Sequence, residues 1–227
     1  MGKIKLYSSQ LSPPGRTVQL TAKAIGLEVE FHSVNVLANE HLSDEFVKMN
    51  PQHTIPVIDD GGFVLYDSHA IVIYLVSKYA PSSALYPIGD IKQQARINAI
   101  LHFESGVLFA RLRFVGDAIR KASQASEVPQ DRIDYVLEAL GLLEALLVDR
   151  YLVGDHVTLA DISCVTSFCF LDVMLASQLQ GNRSKYPKVY AWFERMKQID
   201  GYEEINQKAV DQLGDVIKAI YDGNKAK

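Results

Sequence analysis

No run of apolar residues in this chain of 227 residues approaches the length of about 18 that crosses a membrane. Its first residues, Met1 to Lys3, do not lead into a signal peptide. Basic residues are not in excess either, since 23 Lys and Arg stand against 27 Asp and Glu. These absences predict a cytoplasmic protein that engages neither a membrane nor nucleic acid.

Cysteine is also scarce. Cys164 and Cys169 are the only two, and they lie five positions apart in an apolar segment. This spacing is not that of a CxxC redox pair and does not favour a disulfide, so we predict two small buried hydrophobic residues in a reducing compartment. We also predict no metal site.

The first part of the chain shows a β-α-β pattern. Residues 3–7 alternate between polar and apolar as a first strand does, and residues 28–32 alternate again. Between them, residues 12–14 (Ser-Pro-Pro) predict a helix start with the serine as N-cap and the first proline in the first turn. If the two strands are parallel, they require a right-handed crossover.

The stretch 50–56, NPQHTIP, is the centre of this half of the chain. It follows a short helical segment at 42–48 and leads into a hairpin whose turn is Asp-Gly-Gly. Pro56 has no N–H for a strand ladder and belongs at the first residue of a strand, which leaves the backbone of Ile55 at a strand edge. The Ile55–Pro56 bond is a candidate cis peptide, although the spacing also allows an ordinary loop. Beyond the hairpin, Asp67 caps another helix.

The pattern breaks at residues 80–87, which contain two prolines and two serines without periodicity. We place the first domain at 1–80, a linker at 81–90 and a second domain at 91–227. Strand signals are scarce after the break. The amphipathic segments that predict an all-helical second domain run over 92–121, from Pro129, over 186–199 and from Leu213.

Residues 158–161, TLAD, form a capping box in which Asp161 replaces the usual Glu or Gln. Val157 and Ile162 occupy the positions of a hydrophobic staple on either side of it. The box opens an apolar helix that carries both cysteines and should be buried nearly all round. We interpret it as a structural motif and not as a catalytic one.

Four motifs in this order and spacing resemble a cytosolic glutathione transferase over nearly the whole chain: 12–14 (SPP), 50–56 (NPQHTIP), 67–70 (DSHA) and 158–161 (TLAD). Residues 103–109 (FESGVLF) and the serine-type start are similar to the insect epsilon class, with the delta class as its neighbour. The resemblance implies an α/β thioredoxin-like domain (βαβ-α-ββα with a cis-proline) followed by an all-α domain.

The start of the first helix departs from redox members of the thioredoxin-like group, which place a cysteine there. This chain has hydroxyls at Ser9 and Ser12 and no thiol, which suggests that the ligand brings the sulfur. The resemblance implies glutathione as co-substrate and Ser12 as the catalytic residue that hydrogen-bonds its thiolate. Tyr7 is the rival, because other transferase classes use a tyrosine near the end of the first strand. The remaining glutathione-binding residues implied are His41, His53, Thr54, Ile55, Pro56, Asp67, Ser68 and Arg113.

The second substrate implied by the resemblance is a small apolar electrophile. Most candidates for its pocket are equally interpretable as core. They are Leu11, Pro13, Val36, Leu108, Leu112, Gly116 and Asp117. Gly116 departs from the family, which often has a bulky aromatic residue there.

The resemblance therefore implies conjugation of glutathione to apolar electrophiles in xenobiotic detoxification, with dehydrochlorination of insecticides or peroxide reduction as side activities. It also implies a homodimer, with His69 and His102 as candidates for contact near the two-fold axis. The alternative is a non-catalytic carrier of apolar ligands on the same scaffold. A thiol-disulfide reductase is disfavoured by the missing cysteine.

Overall fold

The computed structural model describes residues 3–121 and 128–225. The elements of its first part are β1 (Ile4–Ser8), α1 (Pro13–Ala24), β2 (Val29–Ser33), α2 (Asp44–Met49), β3 (Val57–Asp60), β4 (Phe63–Tyr66) and α3 (Ser68–Tyr79). The strands form one sheet in the order β2-β1-β3-β4. β1 is parallel to β2 and antiparallel to β3, which is antiparallel to β4. This confirms the predicted thioredoxin-like order, including the short helix before the hairpin.

The alternation in β1 assigns its side chains to the two faces of the sheet. Ile4 and Leu6 are buried in the main hydrophobic core together with residues of α1 and α3. Tyr7 points to the other face and packs against a smaller cluster that contains Phe46 of α2 and Val57 of β3. Helices therefore cover both faces of the sheet.

The second part of the described chain is all helical. Its elements are α4 (Ile91–Phe103), a first π-helical turn (Glu104–Leu108), α5 (Phe109–Lys121), α6 (Gln130–Leu146), α7 (Leu159–Met174), α8 (Ala176–Gln180), α9 (Pro187–Met196), a second π-helical turn (Tyr202–Gln207) and α10 (Lys208–Lys225). Residues 81–90, where the linker is predicted, contain neither helix nor strand. None of the helices among the described residues is long and apolar enough to span a membrane.

The long segment predicted at 92–121 is helical throughout but is not one regular α-helix. The first π-helical turn interrupts it, and such a turn winds more residues per turn than the α-helix around it. Glu104, in this turn, is buried in the protein interior. The sequence pattern did not predict this interruption, because the apolar positions on either side still follow a helical period.

Helix α7 packs against helices of both parts of the chain. It packs against α1 and also against α4, α5, α9 and α10. Its side chains are buried continuously from Leu159 to Leu171. Cys164 and Cys169 are free thiols with exposed fractions of 0% and 1%, which confirms the prediction of small buried residues.

Asp161 of the capping box at the start of α7 accepts hydrogen bonds from the helix N-terminus and from two other parts of the chain. The carboxylate of Asp161 accepts from the Thr158 backbone N–H and hydroxyl, both at 2.9 Å, as predicted. It also accepts from the backbone N–H of Leu152 and from Nε1 of Trp192, again at 2.9 Å. Burial raises the pKa of the Asp161 carboxyl, and these four donors oppose that effect. Asp161 thus ties the preceding loop and α9 to α7.

We expect Asp161→Ala to lower the free energy of unfolding by about 3–5 kcal/mol, because several buried donors would lose their acceptor. Urea denaturation measures this difference. Asp155→Ala, an exposed acid in the same loop, is the matched control and should stay within about 0.5 kcal/mol of the parent chain. An unchanged urea midpoint in Asp161→Ala would contradict the assignment.

Candidate active site

Ser12 lies at the junction of a turn and the N-terminus of α1. Its backbone N–H bonds the carbonyl of Ser9 at 3.0 Å, which closes the turn that follows β1. Its Oγ accepts from the backbone N–H of Gly15 at 3.2 Å, as an N-cap does. Pro13 and Pro14 have no N–H, so Gly15 supplies the first amide of the helix. The hydroxyl proton of Ser12 remains to be donated.

Gly15 allows the first turn of α1 to pack closely against Ser8 at the end of β1. A Cβ at this position would lie 1.9 Å from Ser8 Oγ and 3.0 Å from Ser8 Cβ, so only glycine allows this approach. The helix therefore begins directly against the end of β1. The start of α1, with Ser12 as its N-cap, is thereby held against the buried side chain of Ser8.

The loop 50–56 is organised by Asn50, whose side chain is fully buried. Its Nδ2 donates to the Thr54 carbonyl at 2.8 Å and to Thr54 Oγ1 at 2.9 Å, while its Oδ1 accepts from Gln52 N–H at 3.0 Å. The Ile55–Pro56 bond is cis, as expected for the fold. Asn50 is a structural residue of the site that the sequence analysis left without a role. The only feature of the sequence that indicated this role is the position of Asn50 between α2 and Pro51.

The N-terminus of α3 presents Asp67 and Ser68. Asp67 accepts from the backbone N–H groups of His69 at 3.0 Å and Ala70 at 3.1 Å, which confirms the predicted cap. Its backbone has a φ of 71° and a ψ of 118°, a conformation that costs a non-glycine residue about 1–3 kcal/mol. Such strain is concentrated at functional sites, and here it turns a carboxylate and a hydroxyl out at a helix N-terminus.

His41 and His53 lie close together, with ring centroids 6.3 Å apart. Nδ1 of His41 is buried and has no hydrogen-bond partner among the described residues. His53 adopts a φ of 46° in the loop that Asn50 holds. The structure thus brings together the two histidines that the resemblance assigned to glutathione binding.

The ring of His69 faces the second part of its own chain. Its Nε2 lies 2.7 Å from Ser163 Oγ on α7 and 3.2 Å from Glu104 Oε2 in the first π-helical turn. The hydroxyl of Ser167 donates a short hydrogen bond to the other oxygen of Glu104. With 13% of its side chain exposed, His69 connects α3 to α7, a role that its prediction as a dimer contact did not include. His102, the second candidate for that contact, is exposed.

The predicted apolar wall divides into exposed and buried residues. Leu108 and Leu112 have exposed fractions of 0% and 3% and belong to the main core. A Cβ on Gly116 would meet the Met174 methyl at 3.5 Å, an ordinary contact. Asp117 is engaged by Arg120 at 2.6 Å and by Lys121 at 3.1 Å. Of the other candidates, Pro13 is buried, Leu11 is half-buried, and Val36 and Arg113 are exposed.

No group of three or more His, Cys, Asp or Glu side chains in the described ranges is arranged to hold a metal ion. The chemistry available at the junction of the two parts is instead that of hydroxyls, backbone amides, imidazoles and one helix-capping carboxylate. This donor set suits a ligand with several charged ends.

Two family models match the chain. Residues 6–83 match the glutathione S-transferase N-terminal domain and residues 103–200 match the glutathione S-transferase C-terminal domain. Together the two matches cover most of the described fold.

Three solved structures are similar along nearly the whole chain. An epsilon-class glutathione S-transferase from the housefly, Musca domestica, is 40% identical with a TM-score of 0.87, covering 96% of this chain and 98% of its own. A glutathione transferase homologue from Drosophila mojavensis with bound glutathione is 38% identical, with the same TM-score and coverage. A delta-class enzyme from Nilaparvata lugens is 32% identical with a TM-score of 0.84, covering 96% and 99%. The expected likeness to the epsilon class, with delta as neighbour, is confirmed.

A test of Asp67 separates capping from ligand binding. Asparagine caps helices as well as aspartate and tolerates a positive φ, so Asp67→Asn should change the free energy of unfolding by less than about 0.5 kcal/mol. Losing the negative charge should raise the KM for glutathione by about tenfold, since a hydrogen bond to a charged group contributes roughly 1.5–3 kcal/mol.

Steady-state kinetics and thermal unfolding on the same preparation measure both quantities. Asp215→Asn, which removes an exposed carboxylate on α10, is the matched control and should change neither. An unaltered KM for glutathione in Asp67→Asn would show that Asp67 caps the helix and that its charge does not bind the ligand.

Proposed function

The chain belongs to the glutathione S-transferase family, and from that premise we propose that it conjugates glutathione to small apolar electrophiles through a thiolate held by Ser12. The observation that carries this proposal is the state of the Ser12 hydroxyl. One lone pair accepts from Gly15 N–H at 3.2 Å, and no residue that the structure describes accepts the hydroxyl proton, which can therefore be donated to a ligand at the N-terminus of α1. A thiolate at this position would accept that hydrogen bond and would also be stabilised by the positive end of the helix.

The chemistry asked of the chain is modest. A free thiol titrates near pH 8.5, so only a few per cent is thiolate at pH 7. Lowering that pKa by about two units stabilises the thiolate by roughly 2.7 kcal/mol relative to the thiol, and one hydroxyl donor contributes on the order of 1.5–3 kcal/mol. The thiol proton leaves to solvent, the sulfur lone pair attacks the electrophilic carbon, and the leaving group departs with its electron pair.

The rest of glutathione is held at its two ends. Asp67 accepts the γ-glutamyl ammonium, and Ser68 with its amide binds the adjacent carboxylate at the start of α3. The backbone of Ile55 pairs with the cysteinyl residue in the manner of an added strand, next to Thr54 and Pro56. His53 and His41 donate to the glycine carboxylate, and Arg113 reaches the same ligand from α5. The homologue from Drosophila mojavensis, which was solved with bound glutathione, supports glutathione as the ligand.

The electrophile enters on the side of α5. Leu11, Pro13, Val36, Gly116 and Asp117 border this space, and Leu108 and Leu112 back it from the core. Because Gly116 adds no aromatic wall, the site should accept substrates wider than a flat ring. We place the activity in detoxification, with dehydrochlorination of organochlorines and peroxide reduction as side reactions of the same thiolate.

Two features argue against a thiol-disulfide reductase. The turn that ends at Ser12 contains no cysteine. Burial raises the pKa of the Cys164 and Cys169 thiols, so both stay protonated and unreactive near neutral pH.

The decisive variant is Ser12→Ala. Affinity for glutathione should stay within a few fold, because the ligand's ends are held elsewhere. The bound thiol's pKa should rise by at least about one unit, and turnover should fall by roughly 10²-fold, as on loss of one oxyanion donor. Thiolate absorbance against pH in the binary complex gives the pKa, and a generic aromatic electrophile gives the turnover.

Tyr7→Phe is the comparison, because Tyr7 is the rival donor and should leave both quantities unchanged. A titration and a turnover unmoved in Ser12→Ala would leave the serine as a cap only. Retention of apolar ligands without any turnover by the parent chain would favour the non-catalytic carrier.

We further propose a cytoplasmic homodimer in which the first part of one subunit packs on the second part of the other. Phe63 and Val64 support this, because they lie on the edge strand β4 with exposed fractions of 49% and 37%. An exposed apolar edge is a surface that proteins ordinarily cover.

Light scattering at micromolar concentration should give twice the 25.3 kDa of one chain. Phe63→Glu should shift the mass toward one chain, because the interface would bury an unpaired charge. Val148→Glu introduces the same charge at another exposed apolar residue, on the loop after α6, and should remain dimeric. A monomeric parent chain refutes the dimer.

A further inference from the structure

Arg16, one turn into α1, is a fully buried arginine without a carboxylate partner among the described residues. Its exposed fraction is 0%. Its Nε donates to Asn206 Oδ1 at 2.7 Å, and its terminal nitrogens donate to the carbonyls of Thr166 at 2.9 Å and Gln10 at 3.3 Å. The guanidinium also stacks 3.9 Å from the centroid of the Phe170 ring. All of these partners are uncharged.

The titratable groups that face Arg16 do not neutralise it. They are the Cys169 thiol on α7, whose Sγ lies 3.9 Å from the guanidinium, and the Tyr202 hydroxyl in the second π-helical turn. Burial raises the pKa of both groups, so they are neutral at physiological pH. Burial also lowers the pKa of Arg16, but an arginine stays protonated across the working range. The interior next to α1 therefore carries one net positive charge.

This charge lies close to the proposed thiolate. At about 1.5 Å per residue, the Arg16 backbone lies about 6 Å along the helix axis from Ser12. The carbonyl of Gln10, which Arg16 holds, belongs to the turn that Ser9 and Ser12 close. Isolated buried charges are costly, and a carboxylate in place of the Asn206 amide would relieve that cost. The chain has an amide there, so the positive charge is kept.

We propose that Arg16 is a positioning residue whose buried, uncompensated charge stabilises the glutathione thiolate held by Ser12, while its hydrogen bond to Gln10 fixes the turn that presents Ser12. The inference rests on the proposed role of Ser12. It adds a second source of thiolate stabilisation, from the protein interior. Because the charge is shielded from water, its effect should persist at high salt.

The size of the effect follows from the distance. A unit charge roughly 10 Å from the sulfur, at an effective dielectric constant of about 20, shifts a pKa by about one unit. Removing the net charge should therefore raise the pKa of bound glutathione by about half a unit to one unit. Turnover should fall roughly 3- to 10-fold at pH values below that pKa and stay unchanged well above it.

Asn206→Asp tests this without removing the arginine. The introduced carboxylate is the same size as the amide and accepts from Arg16 Nε. It also lies beside the Tyr202 hydroxyl, which interacts with the side chain at this position and can donate to a carboxylate. The variant should fold and melt at the parent temperature or above, yet show the raised thiol pKa and the altered pH profile.

Asn206→Leu is the matched control, because it removes the hydrogen bond to Arg16 without adding a charge. It should lose stability but keep the thiol pKa of the parent chain. A folded Asn206→Asp protein with the parent thiol pKa would overturn the proposal, and so would equal shifts in both variants. An Asn206→Asp protein that does not fold would also overturn it, because the proposal requires an isolated buried cation at Arg16, and pairing such a cation with a hydrogen-bonded carboxylate should not unfold the chain.

The outcome is separable from that of Ser12. If the parent chain does not lower the pKa of bound glutathione at all, the proposed function fails and Arg16 has nothing to assist. If Ser12→Ala raises the pKa and Asn206→Asp does not, the proposed function stands and the inference about Arg16 fails. Both titrations are read from the same thiolate absorbance, at low and high salt.

Discussion

The packing of α1 between the sheet and α7 is the constraint on which the rest of the site depends. On the sheet side, Gly15 lets the helix approach Ser8 so closely that no larger residue fits. On the α7 side, Thr17 Oγ1 meets Thr166 Oγ1 at 2.9 Å, and Arg16 donates to the Thr166 carbonyl. A helix held on both sides cannot shift along its axis, so the hydroxyl of Ser12 at its N-terminus is positioned by the two halves of the fold together. Preorganised donors of this kind need no rearrangement when charge develops.

The second connection between the halves runs through the π-helical turn at Glu104. The wider turn coincides with a buried carboxylate, which meets His69 at 3.2 Å and the hydroxyl of Ser167. His69 follows directly on Asp67 and Ser68. Its contacts therefore hold the strained N-terminus of α3 against α7 and against the first π-helical turn. These contacts offset the energetic cost of the φ of 71° at Asp67.

The sequence was sufficient for features set by neighbouring residues and insufficient for features set by distant ones. The Ser12 cap, the hairpin after Pro56, the Asp67 cap and the Thr158–Asp161 box each depend on residues a few positions apart, and all are present in the structure. Arg16 and Asn206 are 190 positions apart, and no local pattern reports their contact. Leu108 and Leu112 show a different limit, because a helical period marks an apolar face but does not distinguish a core from a pocket wall.

The distribution of sulfur and charge explains why a hydroxyl stands where related folds have a cysteine. Both thiols of the chain are buried in α7, where burial raises their pKa and keeps them protonated. The guanidinium of Arg16 lies beside one of them, with 3.9 Å between its terminal nitrogen and Cys169 Sγ. Burial still has the larger effect on the pKa of Cys169, which is raised. In the proposed complex the balance at Ser12 differs, because the sulfur of glutathione lies at a helix N-terminus and accepts a hydrogen bond from the serine hydroxyl. With the proposed roles of Ser12 and Arg16, the same interior charge favours a thiolate on the ligand while the chain's own buried thiols stay protonated, and the reactive sulfur is that of glutathione.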